Sequence, residues 1–225
     1  MFITEIFKSI QGEGTRAGLP CIFVRLTGCN LRCVWCDTEY AFHGGKKFAL
    51  DEVVSRVREF AGEAEHRVAL VEITGGEPLL QSETPALSER LLGEGYTVMI
   101  ETSGERFVGV LPRKVIKIVD VKCPDSGEFG TFDMANLDAV DLKDEIKFVI
   151  SSRQDYDFAR DFTLRHGLAN RVCQVLFSPV FPDPSGRWQG LNARELTEWI
   201  LADGLSVRLG LQLHKFIWDP AMKGV

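Results

Sequence analysis

Apolar residues gather in short runs separated by stretches of helical spacing. Runs rich in Val, Ile, Leu and Phe occupy residues 21–26, 68–73, 97–101, 115–119, 146–150, 172–177 and 207–213. Most are continuous rather than alternating, the pattern of strands covered on both faces of a parallel sheet. Between them, Asp51 precedes Val53, Val54, Val57 and Phe60 on one helical face. Leu87, Leu91 and Leu92 form a second stripe, ended by Gly93 and Gly95, and residues 155–166 make a third helix candidate. Asn192-Ala193-Arg194-Glu195 has the form of a capping box before Leu196, Trp199 and Ile200. Strand–helix alternation of this kind predicts an α/β fold with right-handed crossovers.

The segments 102–113 and 123–144 are rich in Gly, Pro and Asp and hold at most a short turn. The expected architecture is therefore a reduced, partial (β/α) barrel of about six to seven strands with incomplete helices. No Pro/Gly/Ser linker divides the chain, so residues 1–225 are expected to form a single domain. The tail after Trp218 is expected to be loosely ordered. Ligands of such folds bind at the carboxyl ends of the strands. Cys29, the Thr74-Gly75-Gly76-Glu77-Pro78 segment, Thr102-Ser103-Gly104, Asp120 with Lys122, and Ser178-Pro179 each follow a candidate strand.

Composition is that of a globular chain, 45% hydrophobic and 26% charged. A net charge of -6 speaks against general affinity for nucleic acid or an anionic membrane. Neither a signal peptide nor an apolar stretch of spanning length is read, so a cytoplasmic location is the default expectation. Six cysteines in such a chain argue for metal or redox chemistry rather than a disulfide framework.

Three of them, Cys29, Cys33 and Cys36, form a C-x3-C-x2-C run with Trp35 before the last. Three thiolates on one loop can hold a metal centre but cannot complete a four-cysteine set. A four-iron cluster normally takes four protein thiolates; with three, one iron keeps an open position for a small molecule. A structural zinc site would need a fourth ligand, and no histidine stands at ligand spacing from the loop. A ferredoxin-type carrier would supply four cysteines.

The cysteine run, joined downstream by Gly75-Gly76-Glu77-Pro78, resembles the radical S-adenosylmethionine (SAM) superfamily. The resemblance implies that Cys29, Cys33 and Cys36 ligate a 4Fe-4S cluster whose open iron chelates SAM, which one electron cleaves to a 5'-deoxyadenosyl radical. It places the backbone around Trp35, Cys36 and Asp37 at the adenine and the Gly76 loop at the methionine amino group. Asp120, Val121, Lys122 and Ser178 align with further SAM-contacting segments. Lys122 is equally a structural partner for Asp120.

Ile6-Phe7-Lys8-Ser9-Ile10-Gln11-Gly12-Glu13-Gly14, the Phe23–Asn30 segment, Cys36-Asp37-Thr38-Glu39 and Gln212-Leu213-His214-Lys215 narrow the choice. Together they resemble the 7-carboxy-7-deazaguanine synthases of queuosine biosynthesis, which also carry a short barrel. These lyases convert 6-carboxy-5,6,7,8-tetrahydropterin to 7-carboxy-7-deazaguanine with loss of ammonia, regenerate SAM and use Mg2+. By this resemblance Thr38 binds Mg2+, Ile10, Gln11 and Gly12 lie along the pterin, and Arg25 holds the substrate carboxylate. A planar guanidinium suits that task. Thr74 is a further substrate contact. His214 either sits over the substrate or packs in the core from a strand. Pro220 matches a terminal proline that touches substrate, with residues 221–225 beyond it. No residue is assigned as general base, although Glu13 and Glu77 stand near the site.

The resemblance also implies a flavodoxin or ferredoxin as electron donor and a homodimer, with Trp188 and Trp218 as interface candidates. Two alternatives fit the same cysteine run: a glycyl-radical-enzyme activase, which shares the cysteine spacing, and a non-catalytic iron–sulfur or zinc module.

Overall fold

The computed structural model describes residues 1–225, apart from the side chain of Ala64. Nine strands join one open sheet. In chain order the elements are β1 (Phe2–Ile10), β2 (Pro20–Leu26), β3 (Lys46–Lys47), α1 (Leu50–Ala61), β4 (Leu70–Gly75), α2 (Thr84–Gly93), β5 (Thr97–Thr102), β6 (Ile116–Asp120), α3 (Asn136–Ala139), β7 (Glu145–Ile150), α4 (Arg153–Arg165), β8 (Gln174–Pro179), α5 (Ala193–Asp203), β9 (Arg208–Leu209) and α6 (His214–Ile217).

The sheet order is β3-β1-β2-β4-β5-β6-β7-β8-β9. From β2 through β9 every neighbouring pair in that order is parallel, while β1 runs antiparallel to both β2 and β3. The parallel strands are those that the continuous apolar runs predict, and the unclosed sheet agrees with a partial barrel. β1 and β3 extend it beyond the expected count. Phe2–Ile10 mixes Thr4, Glu5 and Lys8 with its apolar residues, as an antiparallel strand near a sheet edge can.

Each parallel strand has two distinct faces. Val71, Ile73, Val98, Ile100, Ile146, Phe148 and Phe177 point to the helix side and join the main core with Val53, Val57, Leu87 and Leu91. Cys21, Phe23, Leu70, Met99, Ile116 and Ile118 form a second, smaller apolar cluster on the concave side. Above that plug the same face turns polar, through Thr74 on β4, Glu101 on β5 and Lys147 on β7. The strands are therefore apolar on both faces at their amino ends only.

Local chemistry sets the helix ends. Ser152 caps α4 through its side chain, which accepts from the Asp155 N–H. Asn192 caps α5 by accepting from the Arg194 N–H. Helix α1 begins at Leu50, and the Glu52 carboxylate accepts from the Ala49 N–H at 2.6 Å. The segment 123–144 holds only the four-residue α3 and a 3-10 turn at Pro124–Ser126, as its Gly, Pro and Asp content predicts.

Three expectations change. Strand β9 is two residues long, because the chain leaves the sheet at Gly210 and turns into α6. His214 consequently opens a short helix rather than lying on a strand. The tail beyond Trp218 runs back over the concave face, where Pro220 through Val225 line a cavity and the Lys223 ammonium stands 4.3 Å from the Tyr40 ring centroid. The Trp188 indole N–H donates to the Phe181 carbonyl at 3.0 Å. No helix among the described residues is long and apolar enough to cross a membrane.

Candidate active site

A cavity of about 330 Å3 opens at the carboxyl ends of the parallel strands. The loop after β2 carries Cys29, Cys33 and Cys36 along one wall. Three neighbouring segments hold that loop by backbone hydrogen bonds. The Gly28 N–H donates to Ala41 at 2.8 Å, the Glu77 N–H to the Gly28 carbonyl at 2.8 Å, and the Val34 N–H to Ser126 at 2.9 Å. The Arg32 guanidinium caps the loop from within, donating to the Cys29 carbonyl at 2.9 Å and lying 4.3 Å from the Phe42 ring centroid. Gly28 itself has φ +106°, a conformation that suits glycine.

The donor set fits an iron–sulfur cluster better than one metal ion. Among the described residues no three His, Cys, Asp or Glu side chains converge on a single ion position. A cluster asks for something different, one thiolate at each of several separate irons. Burial pushes all three thiols above their ordinary range, Cys36 to about 11. The bare protein therefore keeps them protonated, and loading a metal centre must release those protons.

The Gly-Gly-Glu-Pro segment follows β4 and packs on the cysteine loop. A Cβ on Gly76 would stand 2.5 Å from the Cys29 Cβ. Glu77 is fully buried and acts as a tie rather than a cavity residue. Its carboxylate accepts from the Leu79 N–H at 2.8 Å, the Thr102 hydroxyl, the Ser103 N–H at 2.8 Å and the Ser103 hydroxyl at 2.7 Å. The ends of β4 and β5 are thereby fixed to each other.

Asp120 and Lys122 project from the end of β6, their side chains 2.7 Å apart. Burial works against the Lys122 charge, but the Asp120 carboxylate and the Cys33 sulfur together raise the ammonium above its ordinary range. The other Asp120 oxygen, Oδ1, is buried and has no hydrogen-bond partner among the described residues. An orphaned acceptor on the cavity wall suits a ligand bearing hydroxyl or ammonium donors.

On the opposite wall Arg25 rises from β2. Its Nε donates to Glu5 at 2.7 Å, and the Tyr40 hydroxyl donates to the same Glu5 oxygen at 2.8 Å. Thr38 donates to Asp37 at 2.9 Å, and Asp37 pairs with Lys215 of α6 at 2.7 Å. Helix α6 is joined in this way to the cysteine loop. Gly12 lies directly beneath His214, where any Cβ would strike the imidazole. Burial, together with the Lys215 and Lys147 ammonium groups, holds His214 below the ordinary imidazole range.

Of the residues singled out in the sequence, Ile10, Gln11, Gly12, Arg25, the three cysteines, Trp35, Asp37, Thr38, Thr74, Gly76, Asp120, Lys122, His214 and Pro220 all line this one cavity. Val121 and Ser178 do not line it. Val121 is buried in the main core. Ser178 is buried beside Gly210, whose Cβ would meet its hydroxyl.

Sequence reasoning passed over a charged group on the cavity floor. Lys147 on β7 donates to Glu13 at 2.5 Å and to Glu101 at 2.6 Å. Gln212 donates to the other Glu13 oxygen at 2.9 Å. Gln11 donates to Glu72, and its own carbonyl accepts from the Glu13 N–H at 3.0 Å. Burial and Glu13 raise Glu101 despite Lys147. Burial also acts on Glu13, yet Lys147, His214 and Gln212 leave it below the ordinary carboxylate range. The signal was present: Glu72, Glu101 and Lys147 are single charges placed inside apolar strand runs, where an unpaired charge is costly and so marks function or pairing.

Comparison with known proteins agrees with this geometry. A profile described as the radical SAM superfamily matches residues 23–160. The chain is 56% identical to the 7-carboxy-7-deazaguanine synthase of Koribacter versatilis, covering 100% of both proteins. It is 41% identical to the 7-carboxy-7-deazaguanine synthase of Chlorobaculum tepidum, covering 99% of this chain and 96% of that protein. The fold matches the crystal structure of QueE from Escherichia coli with a TM-score of 0.74 at 22% identity, covering 95% of this chain and 94% of that one. Its cysteine loop and Gly-Gly-Glu-Pro segment thus sit in a fold, and beside full-length relatives, that agree with both motifs: the chain belongs to the 7-carboxy-7-deazaguanine synthase family of radical SAM enzymes.

Proposed function

We propose that this chain is a carbon–nitrogen lyase that converts 6-carboxy-5,6,7,8-tetrahydropterin to 7-carboxy-7-deazaguanine and ammonia. The observation that carries the reading is the convergence of the cysteine loop, Arg25 and the polar floor on one cavity of about 330 Å3. Its polar floor and the Arg25 guanidinium suit a small heterocyclic carboxylate. A glycyl-radical-enzyme activase would need to admit a protein backbone, and here the tail residues Pro220–Val225 occupy the cavity wall.

Cys29, Cys33 and Cys36 would hold a 4Fe-4S cluster, and Trp35, Cys36, Asp37, Gly76, Asp120 and Lys122 would hold SAM. When bound, these groups supply hydrogen-atom abstraction at carbon. The protein's own part is to bind, orient and keep water out. Arg25 presents a guanidinium for the substrate carboxylate, an arrangement that gives two parallel hydrogen bonds. Ile10, Gln11, Gly12 and Thr74 would lie along the ring, with His214, neutral at pH 7, above Gly12. Val121 and Ser178, set back from the cavity, would act by supporting the β6 and β8 ends.

Thr38 and Asp37 supply hard oxygen donors, which suit Mg2+ held jointly with substrate oxygens and water. Reduction by a flavodoxin or ferredoxin, a homodimeric state, a cytoplasmic location and action as a single domain over residues 1–225 complete the reading.

The test is anaerobic reconstitution with iron and sulfide, followed by incubation with SAM, a chemical reductant and the carboxy-tetrahydropterin. A new deazapurine chromophore and one ammonia per product are expected. Formation of 5'-deoxyadenosine without that product would overturn the substrate assignment.

A further inference from the structure

Among the described residues, Glu72 is the floor carboxyl that no cation contacts. It lies on β4 with 3% of its surface exposed. The strand register sets it between Phe23 of β2 and Met99 of β5, and both belong to the apolar plug of the concave face. A carboxyl group in that position has lost most of its hydration.

The polar groups around it do not restore a positive charge. The floor brings together three carboxyls, Glu13, Glu72 and Glu101, and one ammonium, Lys147. That ammonium is committed to Glu13 and Glu101. From β2 the nearest cation is Arg25, whose Nε is given to Glu5 at 2.7 Å, and Cys21 adds only a thiol. Gln11 from the β1–β2 loop donates one neutral hydrogen bond to Glu72 Oε2. Three carboxylates sharing one ammonium in a low-dielectric floor cannot all ionise near neutral pH. The group with the apolar neighbours and no cation keeps the proton. Burial, followed by the charges of Glu101 and Glu13, accordingly lifts Glu72 well above the ordinary carboxylate range.

Among the described residues the hydrogen bond from Gln11 is the one made to this carboxyl, which leaves its second oxygen, Oε1, without a partner, and Glu72 lines the cavity. We propose that Glu72 is a specificity-determining residue that meets the substrate as a neutral carboxylic acid, its Oε1–H donating to a carbonyl or imine-type acceptor of the bicyclic ring. Glu101, half-exposed in the cavity and paired with Lys147, presents acceptor oxygens instead. The floor thus offers a donor and an acceptor side by side. That combination fits a ring edge on which acceptor and N–H alternate and rejects one carrying donors alone. This inference rests on the pterin reading of the site.

Two variants test it in the reconstituted enzyme. Glutamine keeps the shape of Glu72, accepts from Gln11 and carries an N–H toward the cavity at every pH. Glu72→Gln is therefore expected to leave KM for the carboxy-tetrahydropterin within about threefold at pH 7 and to make it independent of pH up to about 9. Wild-type KM is expected to climb over the alkaline part of that range. Glu72→Leu removes the donor and should raise KM by about tenfold.

Thermal unfolding of the cluster-free chain gives a readout that needs no activity. Wild-type Glu72 binds a proton when folded and loses it when unfolded, so its folded state loses stability as pH rises above the ordinary carboxylate range. Glutamine has no such dependence. The Tm advantage of Glu72→Gln over wild type is expected to grow from pH 5 toward pH 8. A tenfold or larger rise in KM for Glu72→Gln with a pH-independent Tm difference would overturn the proposal in favour of an ionised carboxylate. Unchanged KM in Glu72→Leu would overturn the contact. If wild-type enzyme fails to turn over the pterin, the functional reading fails, while the Tm series still reports the proton on Glu72.

Discussion

Gly76 and Cys29 are packed so closely that a Cβ on the glycine would stand 2.5 Å from the Cys29 Cβ. The Gly28 carbonyl closes the same space. Real Cβ contacts do not reach such distances, so Gly76→Ala must displace the cysteine loop rather than a mobile side-chain end. The nearest atoms all belong to Gly28 and Cys29 of that loop, not to the main core. We expect Gly76→Ala to fold with a Tm close to wild type, while iron per chain after reconstitution falls by about half or more. Iron and sulfide analysis beside a circular dichroism melt checks both parts. Full iron loading would show that the loop shifts without cost.

Glu77 stands in the same motif but answers to stability. Its carboxylate serves the Leu79 and Ser103 N–H groups and two hydroxyls at once. Glu77→Ala leaves those donors buried and unpaired, a loss of about 3 kcal/mol. Urea denaturation of the cluster-free chain measures it. An unchanged midpoint would mean that the ends of β4 and β5 are fixed by other contacts.

The parallel strands were legible in the sequence because seven apolar runs stand clear of Gly- and Pro-rich turns; their order in the sheet was not. The cluster loop was legible too, since three cysteines within eight residues have few structural explanations. β1 was not, because its apolar residues are interrupted by Thr4, Glu5 and Lys8, and periodicity alone reads such a segment weakly. The floor was missed for a related reason. Glu72, Glu101 and Lys147 look like interruptions of strands until the sheet curves and brings β4, β5 and β7 around one space. Pairing between residues 46 to 134 positions apart is a property of topology, not of local sequence. The tail could not be read either, since a few apolar residues at a chain end have no periodicity to project.

Arg25 carries an ion pair to Glu5 at 2.7 Å and yet faces the cavity. Two roles are separable. If it holds the substrate carboxylate, Arg25→Lys loses the paired geometry of a guanidinium and KM for the pterin rises about tenfold or more. Substrate-independent 5'-deoxyadenosine formation should stay within about twofold of wild type, because the cysteine loop is untouched. Glu5→Gln serves as the control, since it weakens the ion pair but keeps the guanidinium. Matching KM changes in the two variants would assign Arg25 to the Glu5 pair alone.

Among the described residues Lys147 is the one cation in contact with the floor carboxylates, and its removal has a definite pH signature. In the wild type, Glu13 lies below its ordinary range, so its contribution is present above about pH 4.5 and is lost as pH falls through the folded value. Lys147→Met takes away the charge that holds it there. Glu13 keeps its hydrogen bond from Gln212, but Glu13 and Glu101 then share no ammonium, and their affinity for protons rises. A folded chain that binds protons the unfolded chain has released loses stability as pH increases. The deficit of Lys147→Met is therefore expected to be small near pH 4.5 and to reach about 3 kcal/mol by pH 8. Urea denaturation of the cluster-free protein at both pH values measures the difference. A deficit of equal size at both would show that the lysine contributes its packed methylenes and not its charge.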